Sequence, residues 1–353
     1  MFFNHIAVVS LLISYLTPHI SPENFWFIAF FGLAYPVLVL INLLFVIYWG
    51  IQLKKRSFYS LIIIVAGWVQ MREYIQFNFS NSPDKSRKLI KVMSYNVRSF
   101  DLYNWNKDKN TRKKMFNLIS DENPDIICIQ EFYTHDKDTI FNNLDSLLHL
   151  QKAKNTHVEY TTLRRSGSWG AATFTSFPVV SKGKIVFDNS TNTCIYTDIK
   201  INADTVRVYN VHLESIHFGY VDYKFVDDIM NNKETEEVKN SKNILKRLKR
   251  AFIKRASQTE LVAEHIEQSP YPVIVCGDFN DPPASYAYHT ISQNLKDAFI
   301  ESGNGFGRTY TGKFPSFRID YILHSNKFKA YDFRTIRETL SDHFPLCCYM
   351  EKQ

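Results

Sequence analysis

Residues 25–49, FWFIAFFGLAYPVLVLINLLFVIYW, contain no charged side chain and limit the architectures open to this chain. At about 1.5 Å per residue, a helix of this length exceeds the roughly 30 Å hydrocarbon core of a bilayer. Trp26 and Trp49 lie near its two ends, where interfacial aromatic residues occur, and Pro36 predicts a kink between them. We therefore interpret this segment as a transmembrane helix.

Two weaker apolar segments, residues 1–20 and 57–71, flank the first one. Formal charges are rare throughout residues 1–80, where they are confined to Glu23, Lys54, Lys55, Arg56, Arg72 and Glu73. The interpretation is a membrane anchor over 1–77, with three transmembrane helices, followed by a polar linker at 78–88. Residues 89–353 have the composition of one globular domain.

Basic residues set the expected orientation of the anchor. Lys54, Lys55 and Arg56 lie between the second and third spans, whereas the first loop has no Lys or Arg. The positive-inside rule then predicts that the large domain lies on the non-cytoplasmic side of the membrane. The expected location is a bacterial-type cytoplasmic membrane, with the chain as an integral protein. The domain would instead be cytoplasmic if residues 57–71 do not cross.

Composition narrows the chemistry without identifying it. The net charge of +7 is compatible with acidic lipid or nucleic acid as a partner. The five cysteines show no metal-ligand spacing, and their odd number argues against a full disulfide framework. Cys128 and Cys276 lie inside apolar runs, and most of the five are expected to be buried free thiols.

The pattern beyond residue 88 is that of an α/β fold. Helical stretches are predicted at 109–120, 136–149, 240–268 and 284–292, and short apolar runs predict strands at 89–95, 125–130, 170–175, 194–200, 205–212, 272–276, 319–323 and 344–350. Strands on both sides of each helix indicate two packed mixed sheets flanked by helices.

Polar residues of one chemical type end several of these strands. They are Asn96, Glu131, Asn210, His212, Asp278 and Asn280, joined by Asp320, Asp342 and His343 near the C-terminus. Carboxylate and amide oxygens without thiolates are suited to a hard cation such as Mg²⁺, with Mn²⁺ able to replace it. Histidines beside such a cluster can donate to a phosphate or transfer protons. The combination predicts metal-assisted hydrolysis of a phosphoester.

The ordered set of motifs resembles the endonuclease/exonuclease/phosphatase superfamily, which includes deoxyribonuclease I-like nucleases and neutral sphingomyelinases. The resemblance rests on Asn96, Gln130-Glu131, NVHL at 210–213, GDFN at 277–280, RIDYIL at 318–323 and SDH at 341–343. It covers residues 90–353 and implies a four-layer α/β sandwich, preceded here by the N-terminal transmembrane helices. The active site would lie at one edge of the paired sheets.

The same resemblance implies roles for individual residues. Glu131 is similar to the main Mg²⁺ carboxylate of that superfamily, with Asn96 beside it, and Asp342 would support the metal or the loop of His343. Asp278 would orient or deprotonate the attacking water, and this water would attack phosphorus in line.

The remaining roles concern the substrate phosphate. Asn280 would position the phosphate or the water, and His343, held in its tautomer by Asp320, would contact the phosphate and share a proton. His212 would lie on the opposite side of the phosphate from His343, where it would stabilise charge or protonate the leaving oxygen. Asn210 would orient His212 and help bind substrate.

Three functions remain open at this point. Tethering raises the local concentration of lipid, so a phosphodiesterase acting on a lipid headgroup is the first interpretation. A surface nuclease that cuts DNA or RNA and a catalytically inactive membrane scaffold are the alternatives. The expected partners are membrane lipids and the phosphoester substrate, and the sequence indicates no obligate protein partner.

A basic segment, KNILKRLKRAFIKR at 242–255, holds seven Lys or Arg residues with one apolar stripe. It is expected either to be an outer helix with a solvated basic face or to be a face that meets anionic headgroups or a phosphate backbone.

Overall fold

The computed structural model describes residues 1–78, 88–138, 140–150, 152, 154–216, 237–312 and 318–353. Their packing forms two compact units. The helical unit comprises Met1–Met71, Glu214–Glu260 and Asp281–Thr290, and the sheet unit comprises Arg72–Leu213, Leu261–Asn280 and Ile291–Gln353. The domain limits 1–77 and 89–353 stay predictions, and most of the predicted linker at 78–88 lies outside the described residues.

The strands of the sheet unit are β1 (Ile75–Phe77), β2 (Leu89–Asn96), β3 (Ile126–Thr134), β4 (Asn155–Arg164), β5 (Gly167–Thr175), β6 (Val179–Ile185), β7 (Thr193–Ile201), β8 (Asp204–His212), β9 (Val273–Asp278), β10 (Lys296–Asp297), β11 (Asn304–Phe306), β12 (Asp320–His324), β13 (Phe328–Thr335) and β14 (Leu346–Lys352). Within the described residues, two sheets have six strands each, in the orders β13-β14-β2-β3-β5-β4 and β10-β12-β9-β8-β7-β6. Both sheets are mixed, because β2 pairs with β3 and β8 pairs with β9 in parallel, while their other neighbours are antiparallel.

The α-helices are α1 (Phe2–Ser14), α2 (Pro22–Phe25), α3 (Ala29–Leu33), α4 (Tyr35–Ile51), α5 (Ser57–Ala66), α6 (Trp68–Arg72), α7 (Thr111–Glu122), α8 (Asn143–Leu150), α9 (Glu237–Glu267), α10 (Tyr286–Ser292) and α11 (Ala298–Ser302). Apolar side chains of α7 and α8, including Met115 and Leu147, cover the outer face of the first sheet. On the second sheet, the hydroxyl of Tyr209 lies 2.8 Å from His265 Nδ1 on the last turns of α9. The predicted α/β fold, with two mixed sheets flanked by helices, is confirmed.

The core between the sheets follows from the two-residue period of a strand. Alternate residues of β2, β3, β8 and β9 point inward, for example Val92, Cys128, Val208 and Cys276. All five cysteines are buried free thiols, as their apolar surroundings predicted.

The N-terminal helices differ from the three predicted spans. In the described residues, no single helix has both the length and the apolar composition needed to cross a bilayer. One pair, Pro22–Leu33 with Tyr35–Ile51, meets the requirement together, although it is bent by 50°. The bend adjoins Pro36, which has no backbone N–H to donate to the preceding turn.

The N-terminal helices bury polar side chains together with apolar ones such as Leu11, and they expose many large apolar side chains. Their buried positions include Asn4, Asn42 and Ser60. Asn4 donates to Ser60 Oγ at 2.7 Å and accepts from the Trp49 indole at 3.1 Å, while Asn42 donates to Ala7 O at 3.0 Å. Large apolar side chains of the same helices are more than half exposed, among them Phe3, Val9, Leu40, Leu44 and Ile62. Polar groups therefore join these helices while apolar groups cover their outside.

Candidate active site

The inward-facing residues of four central strands end in polar side chains at one edge of the two sheets. Asn96 continues the inward face of β2, and His212 and Asp278 do the same for β8 and β9. Asp320 begins β12 directly opposite Asp278, because these two strands are antiparallel. The apolar faces that hold the sheets together therefore also bring these groups to one place.

Glu131 reaches the same place by a different route. The period of β3 would turn it to the outer face, next to inward-facing Gln130. The backbone of Glu131 instead has a left-handed φ of 51°, and the register of β3 with β5 shifts between Ile129 and Phe132. A bulge of this kind redirects a side chain, and Glu131 Oε1 accepts from Asn96 Nδ2 at 3.3 Å.

The sequence GDFN forms the turn that positions Asp278. Gly277 has φ of 151°, and a Cβ there would lie 1.9 Å from Val211 O on the neighbouring strand. Only glycine permits this approach. Asn280 then adopts a left-handed φ of 53°, donates its backbone N–H to Asp278 Oδ1 at 2.8 Å and donates its amide to Leu213 O at 3.0 Å.

His343 and Asp320 form a buried pair. The Nδ1 atom of His343 lies 2.9 and 3.1 Å from the two carboxylate oxygens of Asp320, so this nitrogen carries the proton and Nε2 faces the Asp278 side. Burial alone would lower the pKa of His343, but the carboxylates of Asp320 and Asp278 more than offset burial and hold the pKa well above its usual range.

Asp278 lies at the centre of the cluster. Its Oδ2 accepts from Asn96 Nδ2 at 3.0 Å and lies 3.7 Å from His343 Nε2 and 3.8 Å from His212 Nε2. Burial raises the pKa of Asp278 to about 6, with a further increase from Asp320 and an opposing effect of His343. A carboxyl group with this pKa can exchange a proton near neutral pH.

The cluster has the donors that a divalent cation requires. Among the described residues, ligand atoms of Asp278, Asp320 and His343 lie within 4.8 Å of one another. Both oxygens of Asp320 are already engaged by His343, however. Glu131 is more accessible, with 38% of its side-chain surface exposed, and Asn96 bridges it to Asp278. These oxygen-rich groups fit a hard cation.

Glu131 carries the negative charge nearest to solvent in this cluster. Although 38% of the Glu131 side chain is exposed, the pKa of its carboxyl group is raised. The main cause is the surrounding protein, which displaces water, and the second is the nearby negative charge of Asp342. A bound cation would favour the ionised form of this carboxyl group.

Arg98 lies beside this site and was not among the residues predicted from the sequence. Its Nε lies 3.3 Å from Asp342 Oδ2, and its guanidinium lies 4.3 Å from the centre of the Trp105 ring. Asp342 is therefore paired with a cation, and its support of the metal or of the His343 loop stays a prediction. Arg98 follows Asn96 by two residues in SYNVRSF, and this closeness to a predicted site residue is the sequence feature that could have indicated it.

Asn210 is not brought into the cluster. It is fully buried between the sheets, where it accepts from Gln130 at 2.7 Å and donates to Ile129 O and Ala172 O at 3.1 and 3.0 Å. Asn210 and His212 are two residues apart on β8, so both point to the inward face, with Asn210 deeper between the sheets. This network fixes β8 against β3 and β5, and substrate binding by Asn210 stays a prediction.

Asp281, next to Asn280 in the chain, is engaged elsewhere. Within the helical unit, its carboxylate oxygens lie 3.2 Å from Arg255 NH2 and Nε. One of the seven cations of the basic segment is therefore buried in an ion pair.

The profile of the Endonuclease/Exonuclease/phosphatase family matches residues 93–343, which include all the residues of this cluster. A second profile, Domain of unknown function (DUF8431), matches residues 1–74. No curated protein matches the chain.

Solved structures share the fold. An endonuclease/exonuclease/phosphatase from Beutenbergia cavernae aligns with a TM-score of 0.53 and 15% identity over 75% of this chain and 72% of its own. A family protein from Bacteroides thetaiotaomicron gives 0.53 and 16% over 75% and 96%. Humanized D. rerio TDP2 gives 0.52 and 15% over 75% and 99%. At these identities the likeness establishes the fold.

Proposed function

We propose that this chain, which belongs to the Endonuclease/Exonuclease/phosphatase family of metal-dependent phosphoester hydrolases, is a membrane-anchored phosphodiesterase that cleaves a lipid headgroup phosphoester. The observation that favours a lipid is the burial pattern of the N-terminal helices, which bury Asn4, Asn42 and Ser60 and expose large apolar side chains such as Leu40 and Leu44. Water disfavours this arrangement and a bilayer favours it, since lipid solvates the apolar exterior while hydrogen bonds join the helices.

The bent pair Pro22–Leu33 and Tyr35–Ile51 would be the main element in the membrane. The basic loop Lys54–Arg56 would then be cytoplasmic. The sheet unit would be non-cytoplasmic with a second crossing by residues 57–71, which include the shorter apolar helix Ser57–Ala66, and cytoplasmic without that crossing.

Glu131 and Asn96 would hold Mg²⁺ or Mn²⁺, which when bound supplies charge neutralisation at the phosphoryl oxygens. Asp278, with its pKa raised to about 6, would accept a proton from the attacking water. The backbone N–H of Asn280 fixes the Asp278 carboxylate during this step, with Oδ1 at 2.8 Å.

His343 would donate from Nε2 to the phosphoryl group or the leaving oxygen, because Asp320 occupies Nδ1. His212 lies on the other side of Asp278 and close to Glu131, at 4.0 Å from Oε1, where it can stabilise developing charge. Both imidazoles would then act beside Asp278, whose Oδ2 lies 3.7 Å from His343 Nε2 and 3.8 Å from His212 Nε2.

The test compares substrates with the full-length protein in detergent and Mg²⁺. Sphingomyelin, phosphatidylinositol, phosphatidylcholine, plasmid DNA and RNA are assayed in parallel for headgroup release or strand cleavage. The proposal expects release of a phosphorylated headgroup, absent with EDTA and in Glu131→Gln. If DNA or RNA is cleaved faster than every lipid, the proposal of a lipid phosphodiesterase is wrong and a surface nuclease takes its place.

A further inference from the structure

The first half of α9 carries a strongly basic surface that the proposed reaction does not use. Lys242, Lys246, Arg247, Lys249 and Arg250 are all exposed, and we refer to them as the basic face. Four of them recur at helical spacing, and no acidic residue occurs between 242 and 259. Among the described residues, no acidic group pairs with Lys242, Lys246, Lys249 or Arg250 within 4.0 Å. The basic face therefore presents charge of one sign.

The opposite side of this helix is built into the helical unit. Phe252 is buried and its ring lies 5.2 Å from that of Phe30, in an edge-on contact. Arg255 is buried as well and pairs with Asp281. These contacts hold α9 in a fixed orientation against the segment that begins the long apolar region.

An aromatic edge adjoins the basic face within the same unit. The ammonium of Lys249 lies 4.8 Å from the centre of the Trp26 ring. Phe25 and Phe27, on either side of Trp26, are 53% and 50% exposed, and Leu245 of α9 is 45% exposed. Cations beside exposed aromatic and aliphatic side chains are typical of a helix that lies in the headgroup layer of a membrane.

We propose that the basic face of α9 binds anionic lipid headgroups at the surface of the membrane that holds the N-terminal helices. This inference rests on the proposed membrane anchoring and adds the lipid class and the residues that contact it. Attraction to anionic lipid accumulates with each Lys or Arg near the surface. A nucleic acid backbone would also attract these cations, but it does not account for the exposed apolar residues Leu245, Phe25 and Phe27 beside them.

The test uses the full-length protein in nanodiscs of phosphatidylcholine alone or with phosphatidylglycerol. Amine acylation is followed by mass spectrometry at Lys242, Lys246 and Lys249, with exposed Lys113 on α7 as the internal control. We expect phosphatidylglycerol to slow acylation of the three lysines at least several-fold and to leave Lys113 unchanged. Equal acylation in both discs would overturn the proposal.

A charge-matched pair of variants supplies the second measurement. Lys246→Gln/Lys249→Gln/Arg250→Gln removes three charges of the basic face, and Lys107→Gln/Lys109→Gln/Lys113→Gln removes three exposed charges elsewhere. Affinity for micelles that contain phosphatidylglycerol should fall at least tenfold in the first variant and less than twofold in the second. Equal losses of affinity in the two variants would show that only the net charge of the protein matters, and would refute binding by the basic face.

Two further outcomes separate the proposals. A chain that does not remain in phosphatidylcholine nanodiscs refutes membrane anchoring and this inference together. A chain that remains in both discs, with lysines protected by an oligonucleotide and not by phosphatidylglycerol, refutes the lipid-binding face and leaves the anchor in place.

Discussion

At the scale of single residues, the site depends on how charge is distributed among buried groups. Asp278 is 1% exposed and Asp320 is 2% exposed, and both face His343. A buried charge is costly without a partner of opposite sign, and the two carboxylates favour the protonated form of the His343 imidazole. The reactivity of His343 should therefore follow from Asp320.

Asp320→Asn tests this dependence. The raised pKa of His343 means that its protonated form persists above the usual pH range and is lost only as the pH rises through that raised value. With a neutral asparagine side chain as the partner of His343, the alkaline limit of kcat/KM should move to lower pH, and kcat should fall by about 10²–10⁴-fold. A pH profile with saturating Mg²⁺ measures both, and an alkaline limb identical to that of the wild type would refute the role of Asp320.

Arg255→Met tests the buried pair with Asp281. Burial raises the pKa of Asp281 from 3.8 to about 6 against the opposing effect of Arg255. The folded chain thus binds this proton more tightly than the unfolded chain, so the associated stability is present below pH 3.8 and is lost as the pH rises through about 6. Without Arg255 the buried charge is uncompensated, and we expect a loss of about 3–5 kcal/mol in the free energy of unfolding at alkaline pH.

Denaturant unfolding of the full-length chain in detergent, at about pH 5 and about pH 8, measures this loss. The loss should be smaller at the acidic pH, and Arg255→Met/Asp281→Asn should recover part of it. Exposed Arg250→Met is the matched control and should change the free energy of unfolding by less than about 0.5 kcal/mol. Equal losses for both single variants would contradict the assigned ion pair.

At the scale of the elements, the strands that the sequence predicted are the interior ones. The eight predicted strands correspond to β2, β3, β5, β7, β8, β9, β12 and β14, while β4, β6, β10 and β13 lie at the sheet edges and were missed. Edge strands such as β6, with the sequence VVSKGKI, carry exposed polar residues and lack a continuous apolar run. Hydrophobic patterns therefore predict the centre of the fold and leave its edges undetermined.

The same distinction applies to the site. Asp278 and His212 end strands whose alternating apolar residues can be recognised in the sequence. Their convergence at one edge of the sheets could therefore be predicted. The position of Glu131 depends on a bulge, and the burial of Asn210 depends on the partner sheet. Neither of these features leaves a mark in a single sequence pattern.

Gly277→Ala tests the turn that ends β9. A Cβ there would meet Val211 O at 1.9 Å, so the parallel pairing of β8 with β9 must shift, with loss of activity and a melting temperature that falls by several degrees. Gly50→Ala is the matched control, because nothing lies within 4 Å of its added Cβ and α4 is helical there. There, alanine should stabilise the helix by up to about 1 kcal/mol. A Gly277→Ala protein with normal melting and activity would show that β9 tolerates a side chain at this point.

At the scale of the whole molecule, the sheet unit and the N-terminal helices differ in which side chains they bury. The sheet unit buries apolar faces between its sheets, whereas the N-terminal helices bury Asn4 and Asn42 and expose large apolar side chains. This contrast is the physical basis for proposing a membrane environment for the helices.

Leu44→Lys distinguishes lipid from water around α4. Leu44 is 56% exposed, so in water the substitution should be nearly neutral, but in the centre of a bilayer it should cost about 2.5–3.5 kcal/mol. Carbonate extraction of membranes measures the inserted fraction, which should fall sharply. Leu163→Lys, at a 72% exposed position on β4, is the control and should remain like the wild type. Normal insertion of Leu44→Lys would place this face of α4 outside lipid.

The most direct test of the central claim is the metal dependence of phosphodiester hydrolysis by the full-length protein. Hydrolysis of bis(p-nitrophenyl) phosphate is measured after EDTA treatment and during titration with Mg²⁺ or Mn²⁺, in the wild type, Glu131→Gln and His343→Ala. We predict that activity returns with metal only in the wild type, that Glu131→Gln loses metal binding measured by calorimetry, and that His343→Ala retains metal binding without turnover. Full activity in EDTA, or undiminished turnover in either variant, would contradict hydrolysis at this cluster.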